Sequence, residues 1–177
     1  MRKFGIIAVL SLLVTALAAV PALGVTTTTV NLENAPQGAH FAKGAAAPVC
    51  TLTGTTVNCT GTEIQGVGNT NATVNLAVTS TFTGTCTNPG GHVVEPFTEQ
   101  ETTTTSSVVT STRNGRIVIP EQTATAVSSE EFLANFECPN PNWTPTVSGT
   151  AISFVHTLTF AGFEQPAITV TGPDPAA

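Results

Sequence analysis

One stretch limits the fold more than any other. In residues 74–91, Val74, Leu76, Val78, Phe82 and Cys86 fall on one side of a period-two register. Asn75, Thr79, Thr81, Thr83 and Thr85 fall on the other. Strict alternation over this length predicts a strand with one buried face. A cysteine ends the buried side, and Asn88-Pro89-Gly90-Gly91 then turns the chain abruptly. The expectation is a β-rich domain pinned by cysteine.

The two ends of the chain read differently. Arg2 and Lys3 precede an apolar run from Phe4 to Val20, followed by Pro21-Ala22-Leu23-Gly24. A basic start, an apolar centre and a small-residue exit predict a secretory signal peptide over residues 1–24. The other reading, an uncleaved anchor, has a run at the short limit for a spanning helix, and Pro21 favours cleavage. Residues 173–177 are expected to be a disordered tail. The localisation implied is secreted and extracellular, with no membrane attachment once the signal is removed.

Cleavage would leave about 150 residues, enough for one domain with a real core. Thr is the commonest residue and only 9% of the chain is charged. Thr and Val suit pleated, half-buried surfaces, so the polarity of the surface must come from hydroxyls and amides. Beyond the signal the only cations are Lys43, Arg113 and Arg116, against ten Glu and Asp174. A surface that tracks phosphates needs clustered Lys and Arg. Nucleic acid and anionic lipid are therefore excluded as expected partners.

Four cysteines in an exported chain predict two disulfides. Three pairings are open. Cys50 and Cys59 flank two short β-prone runs that turn near Gly54, which makes them natural neighbours and leaves Cys86 for Cys138. Metal ligation would need close-set pairs such as Cys-x-x-Cys, or His at fixed spacing, and the sequence has neither. No metal and no cofactor is expected.

Along the chain, residues 25–48 read as an edge strand followed by a loop or tether, and residues 49–172 as the β domain. Residues 49–60 form a disulfide-closed hairpin. Residues 90–101 read as a loop carrying His92, Pro96 and several Glu. Asn114-Gly115 between two β-prone runs predicts a type I′ hairpin. Residues 128–136 carry a Ser cap, Glu130 and Glu131 in the first turn, and Phe132, Leu133 and Phe136 at helical spacing. Alternation returns in residues 144–161, with Ile152, Phe154, His156, Leu158 and Phe160 on one face and a bend at Gly149. Strands at this spacing, without βα alternation, predict an antiparallel immunoglobulin-like β-sandwich of about 7–9 strands.

The blocks around Cys59-Thr-Gly-Thr-Glu-Ile, Cys86-Thr-Asn-Pro-Gly-Gly91 and Cys138-Pro-Asn-Pro-Asn-Trp143 resemble those of small exported β proteins of actinobacteria and related bacteria. The resemblance spans residues 50–160 and implies secretion and a cysteine-pinned β domain. It implies no activity.

Candidate chemistry is sparse. His156 lies between Phe154 and Leu158, where a structural imidazole is the plainer reading. His92 has Glu95, Glu99 and Glu101 nearby and could collect a metal ion, but acids in a loop are ordinarily just solvated. A hydrolase needs a nucleophile, a base and an orienting acid. No Gly-x-Ser-x-Gly is present, and the adjacent pair Glu130-Glu131 suits a helix start better than a glycosidase. No catalytic residue is assigned.

Trp143 has the best claim on binding. On a proline-stiffened loop beside Asn140 and Asn142, it could stack on a sugar ring while the amides bond hydroxyls. Its plainer role is to plug the core over the Cys86–Cys138 bridge. The expected function is a secreted non-catalytic structural or interaction protein at or outside the cell surface, meeting a wall polymer, a matrix or another protein. The alternative is a carbohydrate-binding module acting through Trp143.

Overall fold

The computed structural model describes residues 26–172. The signal segment and the tail expected from the sequence lie outside them. The described chain is built of antiparallel strands with one short helix. In order these are β1 (Thr27–Val30), a single 3-10 turn at Leu32–Asn34, β2 (His40–Phe41), β3 (Cys50–Thr53), β4 (Thr56–Cys59), β5 (Thr62–Gln65), β6 (Ala72–Thr87), β7 (Val93–Val109), β8 (Arg116–Ile119), β9 (Gln122–Thr125), α1 (Ser129–Asn135), β10 (Thr144–Phe160) and β11 (Ile168–Gly172). Among the described residues no helix is long and apolar enough to cross a membrane.

One five-stranded sheet, ordered β1-β11-β10-β6-β7, forms the floor. Two three-stranded sheets, β2-β5-β8 and β3-β4-β9, lie over it. These two share one register: Cys59 faces Gln122 and Thr62 faces Ile119. They are a single bent layer, interrupted where Thr60 and Gly61 lie opposite Pro120 and Glu121. Pro120 has no N–H to give to the ladder, so pairing breaks there.

The core between the layers follows from the alternation. Val74, Leu76 and Val78 from β6 meet Val57, Ile64 and Ile117 from the upper layer, with Phe154, Leu158 and Phe160 beside them. All are at most 2% exposed. At roughly 25 cal/mol per Å² of apolar surface, each such side chain contributes about 1.5–3 kcal/mol by leaving water.

The upper layer covers only part of the floor. Strands β6, β7 and β10 continue past it as a three-stranded arm. There, Phe82 and Cys86 face α1 and the loop that carries Cys138. Phe82 stacks on Phe132 of α1 at 4.3 Å between ring centroids. Phe97 and Phe136 complete the cluster. Ser128 caps the helix by accepting from the Glu131 N–H, and Ser80, buried at the junction, donates to the Val127 carbonyl. The helix and its cap agree with the sequence reading.

The disulfides join Cys50 to Cys59 and Cys86 to Cys138. The first links directly opposed residues of the β3–β4 hairpin. A bulge between Val147 and Gly149 bends β10 at the expected place.

Two expectations are corrected and one is narrowed. Residues 93–101 are not a loop: they open β7, which pairs along β6 from Val93 to Val109. This strand lies at the sheet edge and buries neither face here, so it lacks an alternating signal, and Pro96 is tolerated because an edge strand has N–H positions that pair with nothing. Asn114-Gly115 does not join a hairpin, because β7 pairs with β6 and β8 with β5. The turn carries the chain from the floor to the upper layer, and only Gly115 has positive φ, so it is not type I′. Finally, of the two readings of residues 34–48, they are a loop and not a tether: Ala35 and Ala42 are buried, and His40–Phe41 pairs with β5.

Candidate functional site

Three places carry chemistry worth weighing. The largest is the outer face of the five-stranded sheet. Cross-strand register puts Thr29, Thr169, Thr157, Asn75 and Ser106 in one row. Two rows away, Ser153, Thr79 and Thr102 stand side by side. Strand pairing spaces such groups by about 4.8 Å across the sheet and about 6.7 Å along a strand. No charged residue points to this side from any of the five strands. Neighbouring groups hold each other: Thr79 and Thr102 share a 2.8 Å hydroxyl contact, and Gln100 donates to the Thr81 hydroxyl. The row between these two is Thr27, Thr171, Val155, Ala77 and Thr104, so the outcome is an uncharged face of hydroxyl rows, set by the backbone and broken at its centre by Val155 and Ala77.

The second place is the arm's inner side. The structure brings Asn140, Asn142 and Trp143 together on one turn. The Asn140 side-chain oxygen accepts from the Asn142 N–H at 3.0 Å, and its carbonyl accepts from the Trp143 N–H at 2.9 Å. That oxygen of Asn140 is thus engaged in holding the turn. Trp143 is half-buried and shares a cleft of about 190 Å³ with Phe136, Glu137, Cys138, Pro141 and Pro145. It is neither a sealed plug nor an open platform.

A neighbouring cleft of about 360 Å³ runs between β7 and the end of α1, lined by Glu95, Phe97, Glu99, Phe136 and Glu137 among others. The sequence does not reveal this cleft, because residues 93–101, which line one side of it, read as loop. Glu95, Phe97, Glu99 and Glu101 share one face of β7, and Phe97 stands opposite Gly84 in the register. A Cβ on Gly84 would run into the Phe97 ring, so the glycine makes room for the phenyl group to lie across the sheet. Extended spacing also separates the acids. Glu95, Glu99 and Glu101 are strung along one strand and do not converge with His92 on a point.

The third place is sealed in the core. His156 on β10 is 0% exposed, with Leu76 and Val170 as its strand neighbours. Among the described residues, neither ring nitrogen has a hydrogen-bond partner. Burial holds its pKa below the ordinary value, since the charged form would be poorly solvated there. Opposite it, on the upper layer, lies the Cys50–Cys59 bridge. The two sulfurs and one ring nitrogen are all within 4.8 Å of one another. The other two imidazoles are elsewhere: His40 is exposed and bonded to the Gly38 carbonyl, and His92 is exposed at the β6–β7 turn.

Among the described residues one surface ion pair is found, between the neighbouring strands β5 and β8 of one sheet. Arg116 meets Glu63 through two contacts of 2.7 Å and holds its carboxyl below the usual range. It is largely solvated and serves the β5–β8 pairing.

Against known proteins, no family model, no curated sequence and no solved structure matches this chain.

Proposed function

We propose that this chain is a secreted, non-catalytic structural or interaction protein that works at or outside the cell surface through the outer face of its five-stranded sheet. The observation that carries the reading is the uncharged outer face, with rows of Thr, Ser and Asn side chains on either side of Val155 and Ala77. Rows of hydroxyls at fixed spacing suit a partner that is itself extended, repetitive and hydroxylated. Each contact is weak, about 0.5–1.5 kcal/mol for a net hydrogen bond, but the groups are held in place and little entropy is lost in ordering them. A wall or matrix polysaccharide fits this better than a small ligand. Two disulfides suit an oxidising compartment, and the resemblance to small exported actinobacterial proteins is in keeping with it.

The architecture belongs to the same proposal. Two antiparallel layers around a shared core support an immunoglobulin-like sandwich, although neither disulfide joins the layers as the hallmark bridge of that fold does. A second reading, a carbohydrate-binding module acting through Trp143, is favoured by the half-exposed indole on its bonded turn.

Retention on insoluble polymers separates the readings. The purified chain is mixed with cell wall, chitin, cellulose and starch, alongside Thr79→Lys/Thr81→Lys and Trp143→Ala variants. The sheet-face reading expects retention on at least one polymer, lost in the double Lys variant and kept in Trp143→Ala. The reverse pattern assigns binding to Trp143. No retention on any polymer sinks both polymer readings.

A further inference from the structure

A buried polar group with no partner calls for an explanation, since nearly all such groups in folded proteins are bonded. His156 has two, Nδ1 and Nε2, both sealed from water. An imidazole serving only to fill space would be replaced without loss by an apolar side chain, and leaving its nitrogens unpaired is costly. What the ring does face is a pair of sulfur atoms. Cys50 is 2% and Cys59 0% exposed, and the three side chains close on a single point from two different layers.

While the bridge is intact its sulfurs are poor ligands, because the thiolate and not the disulfide binds metals. Reduction changes that. We propose that the reduced Cys50–Cys59 pair and His156 form a buried three-ligand site for a thiophilic d10 cation. A dithiol reductant transfers two electrons and two protons to the bridge, giving two thiols and the cyclic disulfide of the reductant. Binding of the cation then forms two metal–sulfur bonds and one metal–nitrogen bond, and the two thiol protons pass to solvent.

The geometry favours this over a loose thiol pair. Both cysteines stay on adjacent, directly opposed strand positions after reduction, because the β3–β4 ladder and not the bridge alone sets their spacing. The imidazole is held by β10 between two paired strands, and so arrives pre-oriented. Soft sulfur ligands with one imidazole select Cu(I) or Zn(II) over Mg(II) or Ca(II). A sealed site with three donors among the described residues suits trigonal Cu(I), whereas Zn(II) ordinarily takes four ligands. The two cations share one chemistry, and titration separates them.

The test uses the full chain carrying Cys86→Ser/Cys138→Ser, so that only the Cys50–Cys59 pair responds. After anaerobic reduction with dithiothreitol and its removal, Cu(I) and Zn(II) are titrated separately against competing chromophoric chelators. Circular dichroism is recorded at each stage. The expected result is one cation bound per chain by the reduced form and none by the oxidised form. His156→Leu, which keeps an apolar side chain of similar size in the core, should still fold and should weaken binding by more than about 100-fold, beyond what loss of an outer hydrogen bond does to a metal site. Tight Cu(I) with weak Zn(II) assigns the trigonal site; the reverse assigns Zn(II) with a solvent ligand. Absence of stoichiometric binding overturns the proposal, as does affinity indifferent to His156→Leu. So does a reduced chain that loses its β signal and does not regain it with either cation.

Discussion

The covered body and the three-stranded arm are made from the same strands, yet they are held in different ways. In the body, aliphatic side chains of two layers interlock: Val74, Leu76, Leu158 and Ile168 below, Val57, Ile64 and Ile117 above. In the arm there is no second sheet. Four phenyl rings, one two-turn helix and a disulfide spanning 52 residues cover the same strands. Each half also has its own disulfide, and the two are placed oppositely. Cys50–Cys59 joins residues that are already paired, whereas Cys86–Cys138 ties a proline-rich loop to a strand it does not pair with. The lesson is that a sheet can extend past its covering layer if a compact aromatic plug and a long-range crosslink replace the missing face.

Removing the crosslinks tests this contrast most forcefully. On the chain-entropy relation, the 52-residue bridge contributes about 4 kcal/mol and the 9-residue one about 2.6 kcal/mol. Cys86→Ser/Cys138→Ser should therefore cost more overall. In native-state hydrogen exchange, its loss of protection should concentrate in α1 and the arm ends of β6 and β10, with the body amides changing less. Cys50→Ser/Cys59→Ser should lower protection in the body. If both variants lower protection evenly along β6 and β10, the two regions are one cooperative unit and the contrast fails.

A smaller effect separates the halves by pH. His156 belongs to the body alone, and burial depresses its pKa when folded. The unfolded chain then binds the proton more readily than the folded one. Stability from this group is full above the unfolded value of about 6.5 and declines below it, by up to about 1.4 kcal/mol per pH unit until the folded pKa is passed. Chemical denaturation from pH 7.5 to 5 should show that decline in the natural chain. In His156→Leu the slope should flatten, and stability at neutral pH should rise by about 1–3 kcal/mol as two unpaired nitrogens leave the core. An equal slope in both chains would show that His156 does not titrate with unfolding.

What was legible in the sequence follows the same division. Alternation marked β6 and the body half of β10 because a sheet covers one face there, and the helix showed through its Ser cap and phenylalanine spacing. The first half of β7, residues 93–101, was hidden because an exposed edge has no buried face to impose a period. Asn114-Gly115 misled because turn chemistry is local, while the partner of each flanking strand is chosen by the layers. Trp143 and its two asparagines were found as a group because they are adjacent in the chain. The cluster of His156 with Cys50 and Cys59 was not, because no spacing rule connects a strand of the floor to a hairpin above it.

The finest cut at the contrast is the cap of α1. Ser128 has extended backbone and its hydroxyl accepts from the Glu131 N–H at 3.2 Å, which satisfies one of the helix's open donors. The helix is too short to persist by itself, so the cap acts by presenting Phe132 and Phe136 to the arm. Ser128→Ala should cost about 1 kcal/mol. Where that loss appears is the informative part. With the arm as a separately held region, exchange should quicken in α1 and at the strand positions under Phe132, while the amides of β4, β5 and β11 keep their rates. Ser128→Asp restores an acceptor beside the helix N-terminus and should recover most of the loss. If Ser128→Ala loosens β11 as much as α1, the ring cluster and the aliphatic core act as one, and the Cys86–Cys138 bridge merely reinforces a single core.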